Sequence, residues 1–215
     1  HNLHKGKQDW LMEIFIAVFF FAFSTTITPG PNNIMIMSSG VNYGVKSSLP
    51  HFLGICLGFP AMVLVVGMGF GSVLEQFPLL HQMIKIAGTL YLLWLAWVIG
   101  SQTPKAIEKG DRKPLTFWQA VLFQWVNGKA WVMATGAVAA FTTVAGSLWL
   151  EVLEITAAFL AVAFPCVGVW LVAGAGLRQL LTNHTAQRIF NVSMALLLVF
   201  SVLPVVYDIW TFYTN

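Results

Sequence analysis

Two short stretches hold the residues whose types and spacing suit the binding of a small polar solute. The first is Thr28-Pro29-Gly30-Pro31-Asn32-Asn33. Its two prolines lack amide hydrogens and clash with the preceding turn, and Gly30 between them loosens the backbone, so no helix runs through intact. A helix restarting at Asn32 and Asn33 brings its positive end and two side-chain amides to the break, a combination that holds a carboxylate. The second stretch is Gln124-Trp125-Val126-Asn127-Gly128-Lys129. Gly128 beside Asn127 permits a kink. Lys129 falls deep within an apolar run, where an ionisable side chain costs at least a few kcal/mol and marks a functional site by default. Thr28, Pro29, Gly30, Pro31, Asn32, Asn33, Gln124, Asn127, Gly128 and Lys129 are therefore the candidate substrate-binding residues. His51, Glu13 and Glu154 are secondary candidates for gating or proton relay. A histidine changes charge near neutral pH, and the two carboxylates lie near one mouth of the helical array.

The elements that must position these residues follow from composition. Of 215 residues, 58% are hydrophobic and 9% charged. A soluble domain carries about 25% charged residues, so lipid is the solvent that suits this chain. The net charge of +3 gives no reason to expect nucleic-acid binding. Apolar runs cover residues 10–27 (continuing to Met37 beyond the first break), 49–73, 79–99, 117–141, 152–177 and 189–206. Each reaches the length that crosses a bilayer of about 30 Å, and none shows the alternation of a barrel strand. The expected fold is an all-α membrane protein of six transmembrane helices, with the first and fourth broken. The domain reading is an extracytoplasmic tail at 1–9, a three-helix half at 10–99, a cytoplasmic loop at 100–116 and a second three-helix half at 117–215.

Three spans per half force the halves into opposite orientations, so they form an inverted repeat. Paired broken helices in corresponding positions are the sequence pointer to a transporter's binding site. Asn33 and Asn127 fall within about 5 Å in depth when counted along helices from the same side. Lys46, Lys105, Lys109, Arg112, Lys113, Arg178 and Arg188 lie on one side, against Lys5, Lys7 and Lys85 on the other. The positive-inside rule then puts the central loop in the cytoplasm and both termini outside.

Blander readings exist for each feature. Proline kinks are common in membrane helices, and a mid-span lysine can snorkel along a tilted helix. Two breaks with polar residues at matching depth are harder to explain that way. Gly54 with Gly58, and Gly67 with Gly71, have the spacing of helix-packing seams. Asn191 and Ser193 read as interhelical hydrogen bonds. Cys56 and Cys166 have no CxxC or metal-ligand pattern and read as small apolar side chains. No cofactor or metal site is expected.

The two stretches, with Ser38-Ser39-Gly40 and Gly44, resemble the LysE/RhtB family of bacterial amino-acid exporters. Residues 51–59 look like that family's second-span opening, residues 87–97 like its third span, and residues 123–130 like its fourth-span motif, usually Asn-Pro-Lys-Ala. Gly128 stands where many members have proline, which implies a softer kink. Residues 114–127 look closest to the cysteine/O-acetylserine efflux branch. The resemblance implies a multi-pass protein of the bacterial inner (plasma) membrane. It implies export of a small amino acid or derivative from the cytoplasm: cysteine, O-acetylserine, threonine, homoserine or a basic amino acid. The proton gradient is the energy source that the resemblance suggests. The expected partners are that substrate and the lipid bilayer, with homo-oligomerisation left open. The alternatives are a carrier of another small metabolite and a non-transporting channel or assembly protein. An enzyme is not expected, since neither GxSG nor CxxC is present.

Overall fold

The computed structural model describes residues 2–103, 112–143 and 146–214, with side chains from residue 12 onward except residue 74. Part of the segment read as a cytoplasmic loop, residues 104–111, lies outside the described residues. Every regular element among the described residues is helical. Helix α1 spans Asn2–Ile27, including most of the segment read as a tail. The Thr28-Pro29-Gly30 break follows, and α2 spans Pro31–Val65. A π-helical turn, Val66–Phe70, leads into the short α3, Gly71–Gln76. Helix α4 is Pro78–Gly100. Helix α5, Phe117–Phe123, continues through a 3-10 turn, Gln124–Val126, to α6, Gly128–Phe141. Helices α7, Leu148–Leu180, and α8, His184–Thr214, complete the chain.

Helix α2 is not one rod. Gly44 has φ 78° and ψ 176°, a conformation that a side chain resists. On a straight helix, residues 39 and 48 would lie about 13.5 Å apart at 1.5 Å per residue. Instead Ser39 Oγ and Ser48 Oγ are 2.8 Å apart. The chain therefore doubles back at Gly44, and residues 31–43 and 45–65 form two antiparallel arms. Helices α4, α7, α8 and the stretch Pro31–Val73 are each apolar and long enough to cross a membrane, and Met12–Ile27 is a shorter apolar helix.

The packing inverts the pattern of a soluble protein. Asn33, Gln124 and Asn191 are at most 3% exposed, whereas Trp97 and Leu180 are more than 70% exposed. Lipid accepts the exposed apolar faces, and the buried amides find partners inside. The first arm of α2 lies against α7, where the Cα of Gly40 faces Leu171 O and Ala175 N, and Gly174 faces the Met37 carbonyl. A Cβ on Gly40 would come within 2.5 Å of Leu171 O, so the two backbones touch. The second arm packs on α5: a Cβ on Gly54 would meet Phe117 O at 2.5 Å, and one on Gly58 would meet Val121 Cα at 2.9 Å. That pair is the packing seam its spacing suggested. The Gly67 and Gly71 pair is not, because Gly67 faces Val152 while Gly71 meets only Val66 of its own turn.

Helices α4 and α8 pair, with an ion pair between Lys85 and Asp208. Asn191 on α8 exchanges hydrogen bonds with Asn42 at 3.0 and 3.1 Å, the interhelical role expected of it. Ser193 differs: its hydroxyl donates to Ile189 O in its own helix, as serine does when no neighbouring helix offers a partner. Cys56 and Cys166 are free and buried.

Candidate functional site

A helix that stops inside a membrane leaves its last carbonyls without amide partners, and water is not there to replace them. At the first break, side chains meet this demand one carbonyl at a time. Thr28 Oγ1 donates to Thr25 O at 2.9 Å. Asn33 Nδ2 donates to Thr26 O at 2.7 Å and to Thr28 O at 2.8 Å. Trp170 on α7 sends its indole N–H to Ile27 O at 2.9 Å. Lys129 Nζ donates to Thr28 O and Thr28 Oγ1, both at 2.9 Å, and to Pro29 O at 3.3 Å.

The second break is built differently. After the 3-10 turn, Asn127 is extended (φ −87°, ψ 108°) and caps α6, its Oδ1 accepting from Lys129 N at 3.2 Å. Trp131 Nε1 donates to Trp125 O at 2.8 Å. The interruption is therefore complete without a proline at 128, contrary to the softer kink that the missing proline implied. Gly128 occupies the first helical position, which proline also tolerates, so either residue suits the same break. On α4, Gly88 lets the break pack in, because a Cβ there would collide with the Val126 carbonyl.

The two breaks are in direct contact. Asn32 and Gln124 exchange amide hydrogen bonds, Asn32 Nδ2 to Gln124 Oε1 at 2.8 Å and Gln124 Nε2 to Asn32 Oδ1 at 3.0 Å. Gln124 also donates to Ala120 O at 2.9 Å. Lys129 forms the second bridge, its aliphatic stem lying across Gly30, where a Cβ would stand 2.5 Å from Lys129 Cδ. Gly30, Asn32, Asn33, Asn127 and Lys129 line one cavity, with Thr25, Thr26, Ile55, Phe59 and Met133 among its other walls. Lys129 is the one charged residue among those lining it. No side chain caps the start of α2, so the first-turn amides at that end have no intrahelical acceptor. The cavity holds about 30 Å³, more than the roughly 10–15 Å³ that one water requires.

The two amides thus differ in what they do. Asn33 is committed to the break's own carbonyls, and Asn32 to Gln124. In a double-mutant cycle on detergent stability, Asn32→Leu and Gln124→Leu should couple by about 1–2 kcal/mol, the range for a reciprocal, partly buried amide pair. Strictly additive losses would mean that the pair does not form.

His51, Glu13 and Glu154 are not part of this cavity. His51 is buried and lines a separate hollow towards Gly44. Glu13 and Glu154 are exposed on α1 and α7. Thr26 and Trp170 were not anticipated from sequence. A threonine or tryptophan in an apolar run carries no sign of the carbonyl or cavity it will face, and only the break's need for donors hints at such partners.

Residues 23–208 match the LysE type translocator family. The chain is 32% identical over 196 residues to the cysteine/O-acetylserine efflux protein of Escherichia coli (strain K12), covering 89% of this chain and 96% of that protein. It is 31% identical over 194 residues to the protein of the same description from Salmonella paratyphi A (strain ATCC 9150 / SARB42), with the same coverage of each. No solved structure matches it.

Proposed function

We propose that this chain, which belongs to the LysE type translocator family, exports a small amino acid of the cysteine/O-acetylserine kind across the bacterial inner membrane. Its relatives are efflux transporters, not enzymes, and its apolar helices are those of a multi-pass membrane protein.

The observation that carries the finer reading is the setting of Lys129. Its ammonium group sits where two interrupted helices meet, held only by neutral oxygens of Thr28 and Pro29. A substrate carboxylate is a stronger partner for that ammonium than a carbonyl is. The uncapped start of α2 adds first-turn amides at the same cavity. On this reading the substrate's carboxylate takes Lys129 from the first break, which loosens the bridge between the breaks. Binding at the centre and rearrangement of the helices around it are then one event, as alternating access requires.

The six-span inverted repeat belongs to the same proposal. A two-fold relation exchanges first with fourth spans, second with fifth and third with sixth. It would turn the packing of α1 on α7 into that of α5 on the second arm of α2, and leave the α4–α8 pair matched with itself. Both contacts occur. The orientation, with termini outside and the Gly44 side in the cytoplasm, rests on the lysine and arginine distribution. Proton coupling comes from the family resemblance. No carboxylate is among the residues lining the central cavity, so Lys129 is the titratable group there that can carry the proton.

Proteoliposomes containing the purified protein should show saturable flux of labelled cysteine and O-acetylserine, and weaker flux of threonine and lysine. Saturation by threonine or lysine alone would move the substrate class. Absence of saturable flux for all four would end the amino-acid reading.

A further inference from the structure

We propose that the hollow towards Gly44 is a second binding site, an antechamber that holds a zwitterionic α-amino acid before it reaches the centre. The proposal rests on the reading of the chain as an amino-acid carrier with its substrate at the two breaks.

The hollow lies between the first arm of α2, His51 on the second arm, the end of α4 and the segment leading to α5. Two of its walls are polar side chains cut off from solvent: His51 is 2% exposed and Gln102 is 6% exposed. His51 Nδ1, His51 Nε2 and Gln102 Oε1 have no hydrogen-bond partner. Among the described residues seven buried side-chain atoms lack a partner, and three of them belong to two residues of this one hollow, His51 and Gln102. Buried polar atoms are nearly always partnered, so three together mark a surface shaped for something that binds there. The neighbouring polar groups are already engaged. Ser38 donates to Ile34 O, Ser39 pairs with Ser48, Asn42 pairs with Asn191, and Gln102 Nε2 donates to Tyr43 Oη at 2.7 Å.

The mouth has the opposite character. Asn42, Tyr43, Lys113, Pro114 and Leu115 line both the hollow and a wider vestibule of about 510 Å³. That vestibule also carries Arg112 and Arg178, and no acidic residue lines either space among the described residues. The chemistry of the occupant follows. A neutral imidazole offers one acceptor and one donor, and with Gln102 Oε1 it presents two acceptors for an ammonium group. Arg112, Lys113 and Arg178 await a carboxylate. A simple anion leaves the inner acceptors unmet, and a simple cation is repelled at the mouth. An α-amino acid, with both charged groups on one carbon, answers both. His51 is one helical turn before Ile55, and Ile55 lines the central cavity. At helical rise these two lining residues are about 6 Å apart along that arm, so the two spaces are neighbours on it. The hollow holds about 50 Å³.

The test is equilibrium binding of radiolabelled cysteine, kept reduced, to the full chain in lipid nanodiscs. Wild type should bind two equivalents per protomer. His51→Leu and Gln102→Met should each bind one, and Lys129→Ala should bind one. The equivalent remaining in Lys129→Ala should resist displacement by cysteamine, which lacks the carboxylate, and by 3-mercaptopropionate, which lacks the ammonium group. A single wild-type equivalent that survives His51→Leu and Gln102→Met overturns the antechamber and leaves the central site standing. Loss of all binding in either chamber variant also overturns it, because a separate site must leave the centre able to bind. Displacement by either analogue overturns the zwitterion assignment. No binding to wild type removes the central-site reading as well.

Discussion

Lys129→Ala should lower the initial rate of amino-acid flux in proteoliposomes by about ten- to a hundredfold. A hydrogen bond to a charged group is worth about 1.5–3 kcal/mol, and each 1.4 kcal/mol is about tenfold. Two losses act together. The cavity loses the one charge among its lining residues, and Pro29 O loses the donor that reaches it across the gap. Thr28 O keeps Asn33 as a donor, so the first break should persist and the protein should still fold. Monodisperse elution in detergent beside a collapsed rate separates loss of the site from loss of the fold. Lys129→Arg keeps the charge but sends a bulkier head over Gly30, where the lysine stem already fills the space of a Cβ. It should recover only part of the rate. Wild-type flux in Lys129→Ala would remove the lysine from the mechanism.

Gly88→Ala should be among the most damaging single methyl additions at the described glycines. Its Cβ would collide with the Val126 carbonyl, a backbone atom with no rotamer to turn away. Overpacking costs about 1–3 kcal/mol even where side chains can shift, and here the second break itself must move. The variant should melt well below wild type in detergent and also transport poorly, since Asn127 and Lys129 hang from the displaced backbone. Gly176→Ala on α7 is the control. Nothing lies within 4 Å of a Cβ there, and exchanging an exposed helical glycine for alanine gains about 0.5–1 kcal/mol. Equal melting temperatures for the two variants would show that α4 does not rest on the second break as described.

The two breaks were legible for a simple reason. A proline cannot donate and a buried lysine cannot be ignored, so Pro29, Pro31 and Lys129 mark their positions whatever surrounds them. The contact between the breaks had only indirect support, from counting depth along two helices. The assignment of Asn32 and Asn33 as free carboxylate ligands took no account of the break's own carbonyls. Those carbonyls are the nearest acceptors, and Asn33 serves them first. The antechamber was out of reach. His51 and Gln102 are 51 residues apart in the chain, and nothing in either neighbourhood says that their polar atoms will share a hollow.

Sequence alone determined that this chain is helical and suited to lipid, where its apolar runs lie, and which two of them are interrupted. These are local properties of hydropathy, proline geometry and the cost of a buried charge. Tertiary structure alone decided that the breaks meet, that Lys129 bridges them, that Gly44 folds α2 back on itself, and that His51 and Gln102 are left without partners. Those outcomes depend on which backbones can approach closely and on which donors remain once every freed carbonyl has been served, and both are settled only when all the helices pack together.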